Sequence, residues 1–436
     1  MHDMQRTVAF GRTLATASLV LLLPSTGWAS GFYLQDQSAR GTGRAYSGEA
    51  ADQGADSLWW NPASIAGIER SEIDSNLAGI LIWSKAEDRG STINRFGRVF
   101  PVGGSGSSSH VVANGLLPST AAALRLNDSL SVGLAVTSPF SFITQYETAS
   151  WARYAALTSR LQTIDIQPSL AWRPTSWLGL GAGPNIEHTL AALSSALPNL
   201  SPLQGDGTET LHGEGWNVGY NVGLQLHLLD DRLTFGASYR SRIEHSLHGQ
   251  LDVVGLTGFL AGQNFHAGNA RASFTTPWAA TFGVRYRATR RLTLDAQVVH
   301  TGWSEFDAVR ITRPVNATTP EGYGDVTSGA IGVDYAMTPR WILRAGVQYD
   351  PTPTPDGARD PRVPDADRVL LALGTTVSVT PRLAVDAGVS YLDAGFSHID
   401  RNASAYVGTP LSTPIRLRGE VKASGLILAL GTRLQF

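Results

Sequence analysis

The chain has 436 residues, no cysteine, a formal net charge of -2 and 42% hydrophobic residues. Balanced charge without a long basic run argues against nucleic acid as a partner. A chain of this length without disulfides is either several soluble domains or one large closed sheet held by backbone pairing and packing.

Residues 1–29 read as a secretory signal. Arg6 and Arg12 precede an apolar core at residues 14–23, and Gly27 and Ala29 are the small residues of a cleavage site. That core is about half of the roughly 20 residues a spanning helix needs. The mature chain is then expected to begin Ser30-Gly31-Phe32. Residues 30–63 are rich in Gly, Ala, Ser and Asp and show neither helical nor strand period, and the expected domain runs over 30–69. Such a segment suits a hatch (plug) inside a barrel, where small residues pack closely and polar groups meet a polar wall.

From residue 70 to 436 the pattern alternates. Leu426, Leu428, Leu430, Thr432, Leu434 and Phe436 fall on one face, and Ile427, Ala429, Gly431, Arg433 and Gln435 on the other. The same period of two recurs at 233–240, 341–350 and 383–391, which is half-buried strand patterning. Short connections such as Asn127-Asp128, Asp230-Asp231 and Thr380-Pro381-Arg382 alternate with long ones. The long ones lie around 85–112, 140–159, 194–209, 253–268, 312–324, 351–367 and 400–416. Short periplasmic turns and long external loops are the asymmetry of an outer-membrane barrel. The fold class expected is all-β, a transmembrane antiparallel barrel of about 14 strands with both termini periplasmic. Expected strand centres are Leu77, Ala121, Leu134, Ile166, Gly183, Gly219, Ala237, Thr281, Ala296, Ile331, Ala345, Leu373, Ala387 and Leu428. Trp172, Trp177, Tyr286, Tyr335, Trp341, Tyr349 and Tyr391 sit near strand ends, as residues of an interfacial girdle do.

Several short blocks carry a family resemblance. They are Gly31-Phe32, the run Gly41-Thr42-Gly43-Arg44-Ala45-Tyr46-Ser47-Gly48-Glu49-Ala50, Asn61-Pro62-Ala63, Trp151-Ala152-Arg153-Tyr154 and residues 161–169. In this order, after a signal, the chain resembles the FadL/TodX family of outer-membrane transporters for hydrophobic compounds. The resemblance implies a barrel closed by an N-terminal hatch. It also implies passive, ligand-gated uptake of long-chain fatty acids or hydrophobic aromatic compounds across a Gram-negative outer membrane. Phe436 is similar to the terminal aromatic that outer-membrane assembly machinery recognises. The expected partners are therefore a hydrophobic ligand, outer-membrane lipid and lipopolysaccharide, and that machinery.

Two apolar segments, 190–200 with Leu193, Leu197 and Leu200 and 253–260 with Leu256, Phe259 and Leu260, are expected as external loops. They form either a capture groove or a lid. Arg153 and Arg160 lie near this entrance and could pair with a ligand carboxylate or simply face solvent. Gating is assigned to Gly31 and Phe32 at the mature N-terminus and to Asn61, Pro62 and Ala63, which could equally be a static turn. Pro139 and Phe140 interrupt the third strand. The resemblance implies a kink there that opens sideways to the membrane, although Pro139 could also lie beyond the strand.

A general porin and an outer-membrane lipase are the alternatives. The ten histidines are scattered, and no G-x-S-x-G elbow or tight metal-ligand cluster is present, so no enzyme activity, cofactor or metal is expected.

Overall fold

The structure, a computed structural model, describes residues 31–436 except positions 202 and 408, so the expected signal lies outside the described residues. From residue 72 the chain forms a closed antiparallel barrel of 14 strands. They are β1 Glu72–Asp88, β2 Gly115–Arg125, β3 Leu130–Thr137, β4 Thr158–Thr175, β5 Leu178–Leu197, β6 Gly207–Leu228 and β7, in two parts, Leu233–Arg240 and Ile243–Val254. Then follow β8, also in two parts, Phe265–Thr276 and Trp278–Arg287, β9 Leu292–Gly302, β10 Val326–Thr338, β11 Trp341–Asp350, β12 Arg368–Ser378, β13 Leu383–Ala405 and β14 Thr413–Gln435. Every expected centre falls inside its strand. β1 closes on β14 with Leu77 opposite Leu430, which removes the exposed sheet edges of an open structure. The Phe436 amide donates to the Ser71 carbonyl at 2.9 Å, so both ends of the barrel chain meet at the end of the short turns.

Large apolar side chains cover the outside. Leu430, Leu373 and Ile331 are each more than half exposed, as lipid-facing residues are. Trp172, Trp177, Tyr286, Tyr335 and Trp341 are exposed toward the short-turn end, and Tyr349 and Tyr391 toward the other. The inner face carries glycines and polar groups, and residues 31–66 fill the lumen against it, buried except at Asp52 and Gln53.

The strands run further outward than the alternation suggested. β13 and β14 are 23 residues each, whereas about 9–11 tilted residues cross a bilayer. The expected loop at 400–416 is therefore mostly strand, and so is most of 190–200, because β5 extends to Leu197. The cause is an inversion of polarity. At membrane height β14 points Leu428 and Leu430 outward. Beyond it, Ile415, Leu417 and Val421 are buried inside while Arg416, Arg418 and Lys422 are exposed outside. A reading keyed to one continuous apolar face stops where the faces exchange.

Candidate functional site

The N-terminal segment in the lumen, residues 31–66, is held by charge and by close backbone approach. Its short helix α1, Ala39–Thr42, is capped by Ser38, whose Oγ accepts from the Gly41 amide at 2.9 Å. The Arg44 guanidinium, fully buried, donates to Glu49 and Asp52 at 2.6 Å each and lies 3.4 Å from Asp334 on β10. Arg285 on β8 joins Asp52 at 3.4 Å, Asp295 at 3.1 Å and Asp334 at 2.9 Å, and so extends the same network into the wall. Each buried charge thus has partners of opposite sign, without which burial would cost several kcal/mol per ion. A Cβ on Gly374 would stand 2.6 Å from the Gly43 Cα, so glycine at both positions lets the hatch backbone touch the wall.

Asn61 anchors the other side. Its Nδ2 donates to the Ala50 carbonyl at 2.7 Å and to the Leu224 carbonyl on β6 at 3.0 Å, and its Oδ1 accepts from the Ala63 amide at 2.9 Å. Pro62 then opens a short 3₁₀ turn packed on Gly181 of β5, where a Cβ would come within 2.3 Å of the Pro62 carbonyl carbon.

At its N-terminal end this segment meets an interruption in the wall. β2 and β3 pair up to Thr120 opposite Val136, and then the ladder stops. Ser138-Pro139-Phe140 departs from it, and pairing with β4 resumes at 141–145, with Val112 bridging Thr144 beyond the interruption. Residues 32–34 occupy the break. The Leu34 amide donates to the Pro139 carbonyl at 2.8 Å, and the Ser141 amide donates to the Phe32 carbonyl at 3.2 Å. Gln37 joins the two edges. Its carbonyl accepts from Ser119 Oγ at 2.6 Å, and its amide side chain donates to the Ser138 carbonyl at 3.0 Å and accepts from the Ser138 amide at 3.2 Å.

Above this break the lumen holds an apolar cavity of about 70 Å³. Phe32, Phe142, Leu161, Leu193, Leu247, Phe274, Phe306 and Val363 form its walls, with Arg160, Arg362 and Glu321 among the lining residues. Phe32 is the shared member, its ring 4.9 Å from Trp303, 5.1 Å from Phe306 and 5.6 Å from Phe142. Arg401 lies 3.4 Å from both Glu321 and Asp360. Arg362 donates to Ser159 Oγ at 3.1 Å and acts by charge on Glu321 and Glu209, and among the described residues neither Arg362 nor the exposed Arg160 forms a close ion pair. Burial pushes the Glu321 carboxyl, which lies in an external loop, up to about 7, with nearby Asp360 adding to the rise and Arg401 opposing it. A buried acid near 7 contributes less negative charge at the cavity at neutral pH than an ordinary glutamate would.

A family model described as outer membrane protein transport protein (OMPP1/FadL/TodX) matches residues 20–436. The chain belongs to this family. It is 25% identical over 421 residues to the long-chain fatty acid transport protein of Escherichia coli O6:H1, covering 89% of this chain and 92% of the relative. It is 25% identical over 425 residues to outer membrane protein P1 of Haemophilus influenzae, covering 87% and 89%. The crystal structure of a Pseudomonas aeruginosa FadL homologue superposes with a TM-score of 0.83 at 24% identity, covering 93% of this chain and 100% of that one. The Pseudomonas putida toluene transporter TodX gives 0.65 at 16% identity, covering 92% and 98%. These two likenesses concern the fold. The protein is therefore an outer-membrane β-barrel of the FadL/TodX family.

Of the residues expected to bind ligand in this FadL/TodX chain, Arg160 and Leu193 line the cavity. Leu197, Leu256 and Leu260 are buried and Leu200 packs beside them, while Phe259 is 79% exposed. The two apolar segments are clasped by Asn199, which accepts from the Thr257 amide at 2.9 Å and donates to the Gly255 carbonyl at 3.2 Å. Arg153 is committed elsewhere. It pairs with Asp206 at 2.8 Å, donates to the Val102 and Gly103 carbonyls at 2.9 Å each and stacks over Tyr154. Phe32, Pro139 and Phe140 come together at the break in the third strand, Gly31 packs against Trp303 and Tyr323, and Asn61, Pro62 and Ala63 lie apart against β5 and β6. Arg362 and Gln37 were not singled out from sequence. Arg362 stands in a loop without period, and Gln37 in a segment whose partners are set only when the barrel closes.

Proposed function

We propose that this chain carries long-chain carboxylates passively across the outer membrane, through the apolar cavity and out sideways at the third strand. The observation that carries this is two guanidiniums without close ion pairs, Arg362 and the exposed Arg160, beside a largely apolar cavity whose lining also includes Glu321 and Asp360. A fatty-acid carboxylate fits them by charge-assisted hydrogen bonds.

Chain length adds a second support. The cavity is far below the roughly 300–1,000 Å³ of filled ligand pockets, so occupation requires an aromatic wall to move. Phe32 is the wall residue carried by the N-terminal segment rather than by the barrel or its loops. Exposing a buried phenylalanine side chain costs about 1.5–3 kcal/mol, and each buried methylene returns about 0.8 kcal/mol. A few methylenes offset the loss, and a long chain exceeds it. A single small ring does little more than replace the ring it displaces.

In this reading Phe259 and the segments clasped by Asn199 make first contact. Arg160, which also borders a polar depression on the outer wall with His212 and His248, draws in the carboxylate. Displaced Phe32 pulls residues 31–34 from Pro139 and Ser141, and Gln37 then releases the window edges. The ligand shifts the population of hatch states by binding one better than the other. Asn61, Pro62 and Ala63, bonded to the wall, act as the fixed end. Residues 30–69 are thus a hatch with a mobile start and an anchored remainder.

The test is a binding comparison. Arg160→Gln together with Arg362→Gln should weaken oleate binding to the purified barrel by about 10–100-fold, since a hydrogen bond to a charged group is worth about 1.5–3 kcal/mol. Binding of a neutral alkane of equal length should be unchanged. Equal loss for both ligands, or none for oleate, contradicts the carboxylate reading.

A further inference from the structure

Outside the barrel, two like-charge pairs stand in consecutive outward rows where β13, β14 and β1 lie side by side. Lys85 of β1 is directly opposite Lys422 of β14, and one row further out Glu87 is directly opposite Glu420. Side chains so placed have Cβ atoms about 4.5–5.5 Å apart, and like charges there are destabilising. The protein resolves the acidic pair with its own cation. Arg89 reaches Glu87 at 3.0 Å and Glu420 at 2.7 Å. The lysine pair has no such shared partner. Lys85 turns outward to Glu87 at 2.7 Å, and Lys422 makes no ion pair among the described residues and sits 5.3 Å over the Phe396 ring.

The depth of the pair says what could lie between the two ammoniums. On β1 the outward residues from Ile73 to Trp83 form the lipid-facing stripe. At roughly 3.3 Å per residue and a tilt of about 40°, that stretch rises about 25 Å, the height of a barrel's apolar band. Trp83, half exposed, closes the band, and Lys85 is the next outward residue. The two lysines therefore stand at the level of the outer-leaflet headgroups, above lipid-facing Leu428 and Leu430. We propose that Lys85 and Lys422 clamp a phosphate of an outer-leaflet glycolipid, with Trp83 and Phe396 against its acyl and sugar portions. Ammonium groups bind phosphate as point charges, and a dianion between two of them turns repulsion into attraction. The site is independent of the cavity and of the ligand that the barrel transports.

The test uses the mature barrel purified in detergent and native mass spectrometry, with bis-phosphorylated lipid A as probe. Wild type should bind it about tenfold or more tightly than dephosphorylated lipid A, and the Lys85→Gln/Lys422→Gln variant should lose that preference. Each single variant should fall between. The double variant should unfold within a few degrees of wild type, because relief of the like-charge pair offsets the loss of the exposed Lys85–Glu87 and Lys422–Phe396 contacts. An undiminished phosphate preference in the double variant overturns the proposal. So does inorganic phosphate that competes lipid A away at equal concentration, because the site would then hold a free anion rather than a lipid.

Discussion

Oxidation of a Tyr33→Cys/Phe140→Cys variant should stop ligand uptake, and reduction should restore it. Tyr33 and Phe140 form an isolated antiparallel bridge whose hydrogen bonds lie on either side, from Leu34 to Pro139 and from Ser141 to Phe32. Such a non-hydrogen-bonded pair has Cα atoms about 4.5 Å apart, within the range a disulfide spans. The chain has no cysteine of its own, so the engineered bond forms without competition. A covalent tie between the N-terminal segment and the kink abolishes the open state rather than biasing it. Uptake should therefore fall about tenfold or more, while the barrel remains folded. The reduced variant is the control for the two lost rings. Uptake that continues at the reduced rate after oxidation would show that residues 32–34 need not leave the third strand.

Arg44→Ala should loosen the hatch and raise steady conductance in a planar bilayer. Arg44 is the hatch cation on which Glu49, Asp52 and Asp334 converge, at 2.6, 2.6 and 3.4 Å. Its removal leaves three acids, with Asp295 beside them, facing Arg285, Arg40 and Arg344 alone. Breaking a buried ion pair from one side costs about 3–5 kcal/mol, comparable to the whole local stability of a small segment. The barrel strands carry their own ladders and lipid-facing surface, so the loss falls on the hatch. Amides of residues 39–52 should exchange faster with solvent, and those of β13 and β14 should not. Arg44→Lys should lie between the two, since one ammonium cannot make the same fork of bonds. An alanine variant as closed as wild type would mean that backbone approach at Gly43 and Gly374, not charge, holds the hatch.

The fold was legible because the barrel repeats one physical rule. Where lipid lies outside, as at Leu428 and Leu430, period two gives each strand, and short turns such as Asp230-Asp231 mark one end. The rule fails above the bilayer, where water replaces lipid and the apolar side turns inward. Residues 190–197 were therefore read as loop although β5 continues through them. The small residues on the inner face, Gly346 and Gly388 among them, were visible as a polar face, but only the structure shows that they receive the hatch backbone at Arg44 and Gly43.

The surroundings of the cavity were legible in part. Arg160 and Leu193 were marked by their chemistry at the external end of the barrel, and Phe32 and Phe140 by the resemblance at the expected mature start and the third strand. Arg153 matched the same chemistry but is consumed by Asp206 and two carbonyls, which spacing cannot reveal. Arg362 and Gln37 depend on a loop and a hatch folding back over more than 100 residues of chain. No local period records such a contact.

The most direct measurement is uptake of labelled oleate and labelled toluene by cells that lack their own transporter for hydrophobic compounds, with and without this protein. The account predicts that oleate enters fast only when the protein is present, and that toluene gains little. Rapid protein-dependent toluene uptake without oleate would contradict the carboxylate reading. Faster entrance of small sugars, with neither hydrophobic compound gaining, would contradict the closed hatch itself.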